Sequence, residues 1–145
     1  MFKHILLPTD GTELSRAAVE SGFAMAKGID AKVTVLHVGT PFHVFAADSA
    51  ALTDTRGEYE GHMKAKGAEI TGAVEAEAKK KGVNCRSAFV VSEQPYEAII
   101  KTARDEGCDL ILMASHGRKG VKGLLLGSET QKVLTHSSIP VLVYR

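Results

Sequence analysis

Cysteine is scarce in this sequence: Cys85 and Cys108 are the only two among 145 residues, and they do not form a CxxC pair. Neither a disulfide framework nor a zinc knuckle is indicated, and a reducing cytoplasm is the setting we expect. Long apolar runs are also missing, and the opening MFKHILLPTD has no apolar stretch followed by a small-residue cleavage site. We therefore expect a soluble, unsecreted protein with no membrane partner.

A strong charge imbalance is absent too, since the formal net charge is +1. A general polyanion-binding surface is disfavoured, and the lysine run 79–81 lacks interleaved aromatic residues, which favours a solvated helix end over a nucleic-acid partner. Metal-ligand spacing is missing as well. No i, i+4 pairing with one another or with cysteine links His4, His37, His43, His62 and His136. The sequence predicts neither a nucleic-acid partner nor a metal site.

What the sequence does contain is a regular alternation of short apolar runs and helical patterns. The predicted strands lie in KHILLPTD and at 31–38, 83–91, 109–115 and 139–145, and the predicted helices at 12–27, 54–81, 95–106 and 128–135. Gly28 is expected to end the first helix, Pro95 to start the third and Gly107 to end it. Residues 39–53 are interpreted as a long connection.

The predicted strands are nearly continuous runs of Val, Ile and Leu, as expected of strands that are covered on both faces. With 44% apolar residues, the chain is predicted to form one domain over 1–145. Its fold class is α/β: a single doubly wound five-stranded parallel sheet of the Rossmann-like type with strand order 3-2-1-4-5.

Two polar loops leave the predicted strand ends: PTDGTE at 8–13 and ASHGRKGVKGLLLGS at 114–128. In an open parallel sheet, ligands bind beyond the carboxyl ends of the strands, where the strand order reverses. If the first strand is central and the fourth lies beside it, the two loops face each other across this crevice. One offers a carboxylate and the other offers backbone amides, which is a combination that suits a nucleotide.

The second loop has the composition of an anion-binding loop. Glycines permit close approach to backbone amides, and basic side chains add positive charge. These residues are Gly117, Gly120, Gly123 and Gly127 with Arg118, Lys119 and Lys122. Ser128 opens a helix whose amino-terminal amides favour a phosphate, but Ser128 and Gln131 also have capping-box spacing, so two interpretations of Ser128 stay open.

Asp10 also has two interpretations: it caps the helix that follows, or it accepts hydrogen bonds from a ribose. Because Thr12 is already a capable cap, we favour the ligand role. His116 could polarise a phosphate or act as an acid, although a ring that only packs and bonds the backbone is the simpler interpretation. The loops contain neither GKS or GKT nor G-x-G-x-x-G, which disfavours a Walker-type ATPase and a Rossmann dehydrogenase.

Three stretches give the sequence its resemblance to the universal stress protein family. ILLPTDGTELSRAA is similar to the opening strand with P-x-D-G-S-like residues, and VLHV closes the second strand. The family's G-x-x-G, nine residues, G-[ST] motif is matched by ASHG, nine residues, then Gly127 and Ser128, before a final PVLV. Ala114 stands where the motif has its first glycine.

The resemblance implies an ATP-binding domain of the adenine nucleotide alpha hydrolase-like group, commonly a homodimer paired through the last strand, here 139–145. It implies that Asp10 contacts ribose and phosphate, that Val38 meets adenine, and that Gly117, Gly127 and Ser128 hold phosphates. The ligand would be ATP, or AMP or ADP, with magnesium as a companion. The full set of predicted contacts is Pro8, Thr9, Asp10, Val38, Ala114, His116, Gly117, Arg118, Gly120, Gly127, Ser128, Glu129 and Thr130.

The predicted function is a nucleotide-binding stress-response or signalling module rather than an enzyme. The loops carry no paired carboxylates with a dedicated base and no obvious acidic magnesium ligands, so at most slow ATP hydrolysis is expected. One alternative is an interaction homodimer of the same family that binds no nucleotide, as expected if Ala114 abolishes binding. Another is an adenylating enzyme of the pyrophosphatase-loop type, which PTDGTE fits poorly because it lacks the glycine pair and the serines.

Overall fold

The computed structural model describes residues 1–42, 49–117 and 126–145. The described elements alternate between strand and helix along the chain. They are β1 (His4–Pro8), α1 (Glu13–Ile29), β2 (Lys32–Gly39), α2 (Ser49–Lys81), β3 (Cys85–Val91), α3 (Pro95–Asp105), β4 (Leu110–Ala114), α4 (Ser128–His136) and β5 (Val141–Tyr144).

All five strands are parallel and form one sheet in the order β3-β2-β1-β4-β5. The predicted fold class and strand order are confirmed. β1 and β4 are buried at every position because they occupy the inside of the sheet and carry helices on both faces. From β1 the chain adds β2 and β3 on one side, and it then crosses to the other side of β1 and adds β4 and β5. The crevice between β1 and β4 is therefore the position where this fold offers a binding site.

Two apolar layers hold the helices to the sheet. On one face, Ile5, Leu7 and Val33 pack with Phe23 of α1 and Ala78 of α2. On the other face, side chains of the same central strands pack against α3 and α4. The strand residues in this layer include Leu6, Leu36 and Ile111, and they pack with Ile99 of α3 and Val133 of α4. The alternation of side chains along each strand sends neighbouring residues to opposite layers, which explains why the central strands carry apolar residues at consecutive positions.

The helix ends differ from the prediction in two places. Gly28 lies inside α1, and the helix ends at Asp30, whose φ of 54° places it in the left-handed region. Asp30 can take this conformation because a short polar side chain tolerates it better than most residues do. α2 begins at Ser49, five residues before the expected start, so part of the predicted connection is helical. No described helix is long and apolar enough to span a bilayer.

The opposite end of the sheet from the crevice holds a buried histidine. His4 is 2% exposed, and its Nε2 lies 2.8 Å from the Thr34 hydroxyl, which also accepts a hydrogen bond from Arg86 Nε at 3.3 Å. Burial lowers the pKa of His4, and the nearby cations Lys32 and Arg86 lower it further, against an opposing effect of Asp109. Folding therefore favours the neutral imidazole.

This shift predicts acid sensitivity that is traceable to one side chain. Because the unfolded chain holds the His4 proton more tightly, the free energy of unfolding should fall as the pH drops below the ordinary value of 6.5. His4→Gln should show a shallower loss of stability between about pH 7 and about pH 5, measured by urea unfolding. The exposed His62→Gln is the control and should keep the wild-type slope. Equal slopes in His4→Gln and wild type would contradict the assignment.

Candidate functional site

The loop after β1 is shaped by its own side chains. Asp10 Oδ1 accepts hydrogen bonds from the backbone N–H of Thr12 at 3.0 Å and from the Thr12 hydroxyl at 2.6 Å. Thr12 in turn accepts from the N–H of Ser15 at 3.3 Å and is the N-cap of α1, as predicted. One oxygen of Asp10 thus fixes the loop. Gly11 has a φ of 79°, a conformation that glycine adopts without strain.

Thr9 ties the end of β1 to the end of β2. Its N–H donates to the carbonyl of Leu36 at 2.8 Å, and its own carbonyl lies 2.8 Å from Nδ1 of His37. Its hydroxyl lies 3.0 Å from that of Ser15. Thr9 is 5% exposed, and Pro8 before it is also buried. These two predicted contacts are therefore buried at the end of β1, and Asp10 follows them directly in the chain.

Asp10 and Gly117 bring the two loops together. A β-carbon built on Gly117 would lie 2.4 Å from Asp10 Oδ2, which is closer than any ordinary contact. The loops after β1 and β4 therefore meet at this point, as the sequence predicts. A side chain at position 117 would have to displace the Asp10 carboxylate, which takes up that space.

Gly127 closes the other end of the second loop. Its N–H donates to the carbonyl of Ser115 at 2.7 Å, and an added β-carbon would lie 3.0 Å from the Cα of His116. The start of α4 is thereby placed beside the end of β4. This close approach gives Gly127 a structural reason to be glycine, in addition to its predicted role toward phosphate.

The predicted capping box at Ser128 and Gln131 is wrong. Gly127 is the N-cap of α4 and has no side chain with which to cap the helix, and Ser128 is its first helical residue. The amide side chain of Gln131 donates instead to the carbonyl of Leu126 at 3.2 Å. The helix therefore starts one residue earlier than a Ser128 cap requires, and the N–H of its N-cap Gly127 donates to the Ser115 carbonyl. A glycine N-cap offers no side-chain acceptor to the first-turn amides of α4, which suits an anion.

Ala114 lies in extended backbone at the end of β4, paired with Tyr144 of β5. Its side chain belongs to the apolar layer that faces α1, and the residue is 8% exposed. Among the described residues, Asp30 is the only non-glycine residue with a positive φ. A β-carbon at this motif position therefore causes no backbone strain.

Three other predicted contacts have partners within the protein. Thr130 is buried and donates its hydroxyl to the carbonyl of Ala114 at 3.0 Å. His116 Nδ1 lies 3.0 Å from the hydroxyl of Ser115. Glu129 Oε2 accepts from the backbone N–H of Tyr96 at 2.8 Å. Their roles toward a nucleotide stay predictions, and Thr130 is the least available because it is 2% exposed.

The remaining predicted contacts complete the picture of the crevice. Val38 is half-buried near the end of β2 and packs at the margin of the layer under α3. Arg118 and Gly120 lie outside the described residues, as do Lys119, Lys122 and Gly123. Within the described ranges, no group of three or more His, Cys, Asp or Glu side chains could hold a metal ion.

Sequence reasoning missed the part that Tyr96 plays beside the site. Its backbone N–H donates to the Glu129 carboxylate, and Lys132 Nζ lies 5.4 Å from the centre of its ring. Pro95 marks the start of α3 in the sequence, but only the fold shows that α4 lies next to this start. A groove of about 400 Å³ between α1 and α2 also escaped the prediction, and of the predicted contacts only Thr9 lines it.

These features define a class of protein: a doubly wound α/β domain with a polar crevice at the carboxyl edge of β1 and β4. The Universal stress protein family model matches residues 1–145. The chain therefore belongs to the universal stress protein family, as its motifs indicated.

Individual members of the family are similar in sequence to this chain over nearly their whole length. The chain is 34% identical to Universal stress protein MJ0577 of Methanocaldococcus jannaschii, with 100% of this chain and 96% of that protein covered. Against a solved structure of MJ0577, the TM-score is 0.83 at 31% identity, covering 99% of this chain and 95% of the other. Universal stress protein YxiE of Bacillus subtilis is 30% identical, with both chains fully covered.

Two solved structures with the same fold carry adenine nucleotides. One is a universal stress protein in complex with cAMP, with a TM-score of 0.72 and 23% identity over 99% of this chain and 97% of that one. The other is a universal stress protein family protein from Arabidopsis thaliana with AMP bound. Its TM-score is 0.68 at 18% identity, over 97% of this chain and 90% of the other.

Proposed function

We propose that the chain is a binding module for an adenine nucleotide, held in the crevice between the loop after β1 and the loop 114–128. The observation that carries this proposal is the contact of the two loops, where Asp10 Oδ2 fills the place of a side chain on Gly117. Beside this contact, the N-cap of α4 is a glycine, which offers no side-chain acceptor to the first-turn amides of the helix. A carboxylate next to an amide-rich anion site is the arrangement that a ribose phosphate requires.

Each part of the nucleotide has a matching group in this arrangement. Asp10 would accept hydrogen bonds from the ribose hydroxyls, and Val38 would contact the adenine ring. Gly127 and Ser128, at the start of α4, would bind the phosphates. ATP is the ligand proposed first, and AMP, ADP or cAMP fit the same groups. Magnesium would accompany a polyphosphate.

The proposed role is signalling in the cytoplasm under stress, rather than catalysis. Nucleotide occupancy would change the shape or partners of the protein. Phosphoryl transfer needs a positioned base and metal ligands besides a phosphate cradle. Asp10 is the carboxylate at the contact of the two loops, and its Oδ1 is already committed to Thr12. We therefore expect at most slow hydrolysis of ATP.

Calorimetric titration with ATP, ADP and AMP tests the proposal. Wild-type protein should bind at least one of them below millimolar concentration, and Asp10→Ala should weaken binding about tenfold or more, as expected for a lost charged hydrogen-bond acceptor. Asp105→Ala removes an exposed carboxylate from α3 and should bind like wild type. The nucleotide proposal fails if millimolar ATP, ADP and AMP all give no heat of binding. The alternative of an interaction homodimer without a nucleotide would then be favoured.

We also propose that two copies pair through β5. This strand is one edge of the described sheet, and Leu142 within it is 40% exposed. The opposite edge is treated differently, because Glu75 of α2 accepts a hydrogen bond from the N–H of Ser87 in β3 at 2.8 Å. A side chain thus covers part of the β3 edge, which leaves β5 as the better surface for strand pairing.

A further inference from the structure

Glu129 is the second residue of α4 and carries a negative charge in the same helical turn that is proposed to bind phosphate. Its carboxylate does not point back to its own helix start. Oε2 accepts from the N–H of Tyr96 at 2.8 Å, and Oε1 lies 3.5 Å from Nζ of Lys132. Glu129 is therefore held in one direction by two contacts.

The contact with Tyr96 supplies what α3 lacks. The first residue of α3 is Pro95, which has no N–H, and the N-cap residue Gln94 makes no side-chain capping bond. Tyr96 is the next residue, and its N–H would be an unsatisfied donor without Glu129. The carboxylate of Glu129 thus caps the start of α3, although Glu129 itself lies in the first turn of α4. The amino-terminal ends of both helices meet at this side chain.

A fixed negative charge at this place affects anionic ligands according to their charge. The positive ends of α3 and α4 attract an anion, but Glu129 already satisfies part of that attraction. Repulsion by Glu129 increases with every further charge on the ligand. A triphosphate should therefore lose more binding free energy to Glu129 than a monophosphate does.

We propose that Glu129 is a specificity-determining residue that shifts the preference of the site from nucleoside triphosphates toward monophosphates. This inference rests on the proposed nucleotide site and concerns its choice of ligand. Glu129 acts through its charge at the start of α4, and its bond to Tyr96 keeps that charge in place.

The test compares ATP and AMP affinities of wild type and Glu129→Gln by calorimetry. Glutamine keeps an oxygen that can accept from Tyr96, so the change removes the charge and leaves the cap. The dissociation constant for ATP should fall about fivefold and that for AMP by less than about twofold. Raising the salt concentration from about 0.05 M to about 0.5 M should shrink the ATP effect, because added ions screen the repulsion.

Two further variants separate charge from structure. Glu97→Gln removes an equal charge from the first turn of α3, where the carboxylate is bonded to the Tyr96 hydroxyl, and should leave the ATP to AMP ratio unchanged. Glu129→Ala loses the cap and the charge, and it should shift the ratio as Glu129→Gln does while lowering the melting temperature.

The outcomes distinguish this inference from the proposed function. If Glu129→Gln leaves both affinities unchanged, or changes them by the same factor, the specificity role is wrong while the nucleotide site stands. If wild-type protein binds neither ATP nor AMP, the nucleotide site and the role of Glu129 fall together.

Discussion

Gly117→Ala is expected to weaken nucleotide binding at least about tenfold while leaving the protein folded. The added β-carbon would lie 2.4 Å from Asp10 Oδ2, so either the carboxylate or the backbone at residue 117 must move away. Asp10 is restrained because its other oxygen bonds the N–H and the hydroxyl of Thr12. Displacement of either group separates the parts that must contact ribose and phosphate together. Calorimetric titration with ATP measures the loss.

Gly72→Ala is the matched control for this substitution. A β-carbon at Gly72 meets nothing within 4 Å, and the residue lies inside α2. We expect wild-type affinity, together with a gain in stability of about 0.5–1 kcal/mol because alanine favours the helix. If Gly117→Ala binds ATP as tightly as Gly72→Ala does, the meeting of Asp10 and Gly117 is not part of the nucleotide site.

Val143→Pro is expected to convert the proposed dimer into a monomer. The carbonyls of Pro140, just before β5, and of Tyr144, at its end, accept from the N–H groups of Ile111 and Ser115. Alternate residues of a parallel strand bond to the same neighbour, so Val143 directs its N–H to the outer edge. Proline removes this donor and leaves the bonds to β4 in place. Sedimentation should show a mass of one chain in place of two.

The opposite edge of the sheet provides a control with the same chemistry. In β3, Ser92 donates to Gly39 of β2, so by the same alternation Val91 directs its N–H outward. Val91→Pro should therefore leave the dimer intact. A dimer that survives Val143→Pro but dissociates in Val91→Pro would place the interface on β3. A monomeric wild-type protein would contradict the proposal of a β5 dimer.

The strands of the sheet could be predicted because the apolar pattern that marks each strand lies within that strand's own sequence. β4 is an unbroken apolar run and β1 is apolar after His4, and both strands are buried at every position in the structure. The order of strands then followed from the resemblance and from the general rules of doubly wound folds. Family membership, the fold and the meeting of the two loops could all be anticipated from sequence.

The features that the sequence missed or predicted wrongly depend mainly on contacts between residues that are far apart in the chain. Ser128 and Gln131 have the spacing of a capping box, but Gly127, whose N–H donates to the distant Ser115 carbonyl, is the N-cap, and Ser128 lies inside the helix. The bond between Glu129 and Tyr96 joins residues that are 33 positions apart, and neither residue signals it locally. Local propensity also failed at Gly28, where α1 continues to Ile29 because a left-handed Asp30 ends it.

Titration of isotope-labelled protein with ATP, followed by amide NMR, tests the central claim most directly. The claim predicts saturable shifts at the amides of Gly117, Gly127 and Ser128, which surround the proposed phosphate position. The amides of Gly28 and Gly82, at helix ends away from the crevice, should stay unchanged. Saturable shifts confined to residues outside the two loops, or no shifts at millimolar ATP, would contradict a nucleotide site between Asp10 and the start of α4.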